Sequence, residues 1–296
     1  MNSGASYSGL NAMNANHKKV NVEWCYSLID GILSFYLLGR IFLAILSHHY
    51  SALIKFPLCI LFSGILLYLY KRYTTKCLTP TASVSCFSQA SKILRGLAVA
   101  SVYVMLIVAI LYWGNCYVPI SVEFNLLGQV EGLSLFFLVA LVEEVVCRGV
   151  IFRLISRRWN MVVGLIVSAF VFGFMHIYKD EVTAWYSLAL SVTAGWLLGI
   201  AYAYHRTIWV PIGMHWAWNY LQGSIFGFPM PGMAFHVTPL ITPSTTGAGP
   251  ITGGEFGIVS STINIAIGMT ISAVYTILYF KKKADQKNEE NGLLPF

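Results

Sequence analysis

The chain is short of charge. Only 10% of its 296 residues are Asp, Glu, Lys or Arg, whereas 57% are hydrophobic and the mean hydropathy is +0.67. Soluble domains carry about a quarter charged residues, so this composition excludes one and indicates a polytopic membrane protein. Other signals are missing too. No apolar run follows a basic start in "MNSGASYSGLNAMNANHKKVNVEW", so no cleavable signal peptide is expected, and residues 1–23 read as a polar, mobile tail. The six cysteines (Cys25, Cys59, Cys77, Cys86, Cys116 and Cys147) include no CxxC pair. That spacing argues against a disulfide framework or a thiolate zinc site, and Cys147 reads as a small packing residue. No HExxH zinc motif and no internal repeat is found.

What the chain has instead is long hydrophobic runs. A helix needs about 20 apolar residues to cross the hydrocarbon core, and eight candidates meet that, near 24–47, 52–70, 95–114, 132–155, 160–178, 183–204, 207–224 and 257–280. The expected fold is all-α: a polytopic membrane helical bundle of about eight transmembrane helices around a polar intramembrane cavity. A single bundle over 24–281 is flanked by the 1–23 tail and a polar C-terminal tail, 282–296. The segment 76–94 reads as a polar connection, part of it an amphipathic interfacial helix. Residues 225–256, rich in Pro, Gly and Thr, form a long outside connection that no continuous helix can cover.

Basic residues set the orientation. With the N-terminal tail in the cytoplasm, the inside segments hold fifteen of the nineteen Lys and Arg residues. Lys55 and Lys179 fall outside, and Arg40 and Arg148 lie within spans. Both termini are therefore expected in the cytoplasm. The net charge of +7 is a topology signal and calls for no nucleic-acid partner; the bilayer is the expected partner.

Only Asp30, Glu143 and Glu144, of twelve acidic residues, fall inside the spans. Ionisable groups there are expensive and mark functional sites. In "LVEEVVCRGVIF", Glu144 and Arg148 are four apart on one helical face, the favourable order for an ion pair. Glu143 is rotated away from Arg148 and is placed to act as a general base. Two histidines and an asparagine lie on other spans: His176 four after Phe172, and His215 four before Asn219, so that His215 and Asn219 share a face. Such a set can hydrolyse a peptide bond. Glu143 with His176 would hold and deprotonate a water, while His215 and Asn219 would stabilise the oxyanion. A zinc ion held by Glu143, His176 and His215 is the alternative, and spacing does not choose between them. Two other readings use the same residues: a non-enzymatic membrane immunity or partner-binding protein, and a proton-coupled transporter, for which inverted repeats are lacking.

Three motifs in order carry a resemblance. Glu143-Glu144-Val-Val-Cys-Arg148 is similar to an EExxxR motif, Phe172-Gly-Phe-Met-His176 to FxxxH, and His215-Trp-Ala-Trp-Asn219 to HxxxN. Together they resemble the CPBP family of intramembrane proteases, which includes type II CAAX prenyl endopeptidases and bacteriocin-processing and abortive-infection proteins. The motif core spans 132–219, and "GPITGGEFG" at 249–257 resembles a later family segment. The resemblance implies a membrane endopeptidase acting on a membrane-associated or lipidated peptide or protein. Glu143, His176, His215 and Asn219 would be catalytic, with Glu144, Arg148 and Phe172 in support. Within that family both glutamate and metal mechanisms have been argued; glutamate-activated water without a tightly bound metal is favoured here, with zinc as the alternative, and the resemblance points to a prokaryotic plasma membrane.

Overall fold

The structure, a computed structural model, describes residues 4–48, 50–77, 86–177, 182–231 and 237–290. Eight helical rods follow the eight apolar runs in order: α1 (Gly4–Leu46), α2 (Ala52–Cys77), α3 (Cys86–Trp113), α4 (126–158), α5 (Met161–Phe174), α6 (Ala184–His205), α7 (209–225) and α8 (Thr262–Glu290). Local chemistry places several starts. The side chains of Asn125, Asn160 and Thr183 each accept a backbone N–H three residues on, capping α4, α5 and α6.

Among the described residues five rods (α1, α2, α3, α6 and α8) are long and apolar enough to cross a membrane. The figure of eight rests on α4, α5 and α7 crossing as well. Of these, α5 is apolar but only 14 residues long. Its side chains divide cleanly. Val162, Ile166, Phe170 and Phe174 form an exposed stripe at four-residue spacing, while Leu165, Ser168, Ala169 and Phe172 are buried.

Small residues let the rods close up. A Cβ on Gly96 of α3 would run into the Val210 carbonyl of α7, and one on Gly213 of α7 into the Ile93 carbonyl of α3. This is the close approach that small residues permit between membrane helices. Gly173 and Ser191 make a similar contact between α5 and α6.

Three rods are not uniform. The helix widens into π-helical turns at Val145–Phe152 in α4, Ser191–Gly195 in α6 and Tyr220–Ile225 in α7. Such turns tend to mark functional sites.

The structure departs from the expected layout in four places. Residues 4–23, read as a tail, are helical and run without a break into the first span as part of α1. The polar segment from 282 continues α8 as helix to Glu290, and 291–296 lie outside the described residues. In the 76–94 connection, α3 begins at Cys86, and 78–85 are likewise outside. The chain is also not wholly helical. Strand β1 (Tyr117–Val122) pairs antiparallel with β2 (Ile241–Thr245), with a register irregularity between Pro119 and Ser121. The 225–256 connection is therefore a clasped structure wherever it is described. It is tied to the bundle by Gln129 of α4, whose Nε2 donates to Ser224 O at 3.2 Å and Thr238 O at 3.3 Å.

Candidate functional site

The three motifs come together in one cavity of about 70 Å³ between α3, α4, α5, α6 and α7. Glu143, Phe172, His176, His215 and Asn219 all line it.

Glu144 and Arg148 lie beneath, with fully buried side chains. Arg148 Nη1 donates to Glu144 Oε1 at 2.8 Å, and Nη2 donates to the Gly195 carbonyl at 2.8 Å. Gly195 belongs to the widened turn of α6, so the distorted backbone presents a carbonyl to the guanidinium. The face of that guanidinium lies 4.6 Å from the centroid of Phe172, a cation–π contact. Phe172 in turn meets the rings of His176 and His215 at 5.6 and 5.5 Å between centroids. One aromatic ring thus contacts the buried cation and both imidazoles.

The depth of His176 has a simple cause. A span over 160–178 would carry His176 far from Glu143, which lies midway along α4. Instead α5 stops at Phe174, and His176 sits in the turn just beyond. Its Nδ1 lies 2.9 Å from the Phe172 carbonyl. A carbonyl only accepts, so Nδ1 carries the proton and Nε2 faces the cavity. His215 is held the same way, with Nδ1 3.0 Å from Glu144 Oε1. The i,i+4 pair read from the sequence is therefore a triad in space, with Glu144 Oε1 accepting from both Arg148 and His215.

The two Nε2 edges both approach one atom. His176 Nε2 is 3.8 Å and His215 Nε2 is 3.9 Å from Glu143 Oε2. A tetrahedral zinc with bonds of about 2.0–2.1 Å would hold its ligands about 3.4 Å apart. The donors have suitable chemistry, each ring fixed at Nδ1 as metal-bound histidines are, but their spacing is wider. Among the described residues no group of three His, Cys, Asp or Glu is spaced to hold an ion.

Spacing did not single out Tyr103, Tyr186 and Gln222, which also line the cavity. Gln222 had a signal, being three residues after Asn219 on the same face; Tyr103 and Tyr186 had none. Of the two tryptophans flanking the His215–Asn219 face, Trp218 joins the cavity wall. Trp216 turns outward, its indole donating to Leu133 O at 2.9 Å and packing on Phe137.

Fold and cavity define the class: a helical integral membrane protein with a carboxylate–imidazole site walled by its own helices. Residues 125–221, about a third of the chain, match the family described as Type II CAAX prenyl endopeptidase Rce1-like. The likeness carried by the three motifs is thereby shown over the helices that bear the site. At the family level it supports a membrane protease, and so a hydrolase. The match ends before the 249–257 segment. No curated protein and no solved structure matches the chain.

Proposed function

We propose that this chain is a glutamate-dependent intramembrane endopeptidase, cleaving a peptide bond in a membrane-associated, lipidated peptide or protein. The convergence of two imidazole edges on Glu143 Oε2 carries the reading. A water at a hydrogen-bond length of about 2.8 Å from each fits between atoms 3.8 Å apart. Glu143 takes one proton from that water, and His176 Nε2 accepts a hydrogen bond from the other. The water oxygen bonds to the scissile carbonyl carbon, whose π electrons move onto oxygen. That oxyanion receives hydrogen bonds from the Asn219 amide and from doubly protonated His215, with Glu144 as counter-charge behind it. Collapse re-forms the carbonyl and breaks the C–N bond, and the proton on Glu143 passes to the departing amine. Zinc is the alternative; it would be held by Glu143, His176 and His215 and would polarise the same water.

The protein is read as multi-pass in a prokaryotic plasma membrane, both termini cytoplasmic. Glu143→Gln keeps the shape and removes the base, so cleavage of a membrane-anchored quenched peptide is expected to fall roughly 10²-fold or more. Near-full turnover by a folded variant refutes the assignment. Activity abolished by a chelator and restored by zinc replaces it with the metal mechanism.

A further inference from the structure

A second, larger recess lies at the end of the bundle where Lys and Arg collect. Its volume is about 890 Å³, and it shares no lining residue with the catalytic cavity. Five cations line it from different parts of the fold: Lys71 of α2, Lys92 of α3, Arg153 and Arg157 of α4, and Arg206 in the turn between α6 and α7. Among the described residues no Asp or Glu lines it. Apolar side chains, Leu67, Phe152, Met161 and Ile208, line it together with hydroxyl-bearing residues such as Thr74, Thr75 and Ser156.

Arg206 adds an independent observation. It caps α6 in the left-handed region, at φ 53° and ψ 34°. Among the described residues the only other non-glycine with positive φ is Asn115, a residue type that tolerates it. Glycine would close this turn with less strain. An arginine held there gives up that ease and adds a fifth cation to the recess. Backbone strain of this kind tends to be kept where function over-determines it.

We propose that this recess binds the phosphate headgroup of an anionic phospholipid, with the lipid's upper acyl segment on those apolar side chains. Positive-inside bias alone explains basic residues scattered on helix ends. It does not explain five converging on a concavity without a carboxylate. Position favours a lipid over a soluble anion: apart from Tyr279 of α8, the lining residues lie toward the ends of α2, α4 and α6 and the starts of α3, α5 and α7, where the headgroup layer would be. Basic pockets between helices at this level suit phosphate headgroups.

Native mass spectrometry of the purified full chain in detergent tests this. Wild type is titrated with phosphatidylglycerol and phosphatidylcholine, and the anionic lipid is expected to bind at least tenfold tighter. Equal binding of the two overturns the proposal without any variant. Lys92→Gln with Arg157→Gln is expected to weaken the anionic lipid by roughly ten- to thirtyfold, at about 1 kcal/mol per cation. The control pair Lys76→Gln with Lys281→Gln removes as much charge outside the recess and is expected to leave binding within about twofold. Equal losses in both pairs, or none in the first, overturn the assignment. Displacement of bound lipid by millimolar inorganic phosphate reassigns the recess to free phosphate and overturns the lipid reading.

Discussion

Exposure separates the adjacent glutamates. Glu144 has no exposed side-chain surface and shares one oxygen between Arg148 and His215, whereas Glu143 reaches the cavity with 12% of its side chain accessible. The same conservative change should act differently at each. Glu143→Gln should lower turnover while leaving unfolding nearly unchanged. Glu144→Gln leaves Arg148 buried without its counter-charge, a loss of about 3–5 kcal/mol, and also loosens His215. Its thermal unfolding in detergent should drop by several degrees with its turnover. A Glu144→Gln protein as stable as wild type would show that the triad is not what holds this part of the bundle. The Glu144–Arg148 pairing was readable from four-residue spacing, because both partners lie on one helix. The third partner was not: His215 is 71 positions away from Glu144 in the chain, and no local pattern reports which face of α7 turns toward α4. Phe172 was legible as a motif position, but its contact with the guanidinium and two imidazoles depends on three helices meeting.

The helices themselves were readable because a membrane span needs a long apolar run, and each of the eight runs became a rod. Their details were less so. The widened turns add no compositional signature, and β1 and β2 pair across more than a hundred residues, a contact that local patterning cannot reveal. The end of α5 at Phe174 was missed because "FMHIY" stays apolar beyond the point where the helix stops. Packing between rods depends on a few small residues, above all where α3 crosses α7. Gly213→Val places two methyl groups against the Ile93 carbonyl and should cost about 1–3 kcal/mol or displace α7. Because α7 carries His215 and Asn219, turnover should fall further than the melting temperature suggests. Unaltered activity in that variant would mean that α3 and α7 separate without moving the site.

For the molecule as a whole, cations mark one end, while the β1–β2 clasp and the Lys55–Glu131 pair at 2.6 Å mark the other. The sidedness read from Lys and Arg makes a direct prediction. In intact cells, a membrane-impermeant thiol reagent should label a single cysteine placed at Ile120 on β1. It should fail to label one at Lys287 until the membrane is opened. The reverse pattern would invert the bundle and put the basic recess on the far leaflet.

The brevity of α5 has a consequence for the lipid around it. At 1.5 Å per residue its 14 residues reach only about 21 Å, against a hydrocarbon core of about 30 Å. Its exposed stripe of Val162, Ile166, Phe170 and Phe174 gives the neighbouring acyl chains nothing further to lie against. With α5 as one of the crossing rods, thinning of the bilayer beside it is the expected accommodation, bringing headgroups and water toward His176 and Glu143. The catalytic rate should therefore respond to membrane thickness, rising in vesicles of short-chain phosphatidylcholine and falling in long-chain ones. A hydrolase buried in oil would in that way draw its second substrate, water, through a thin spot of its own making.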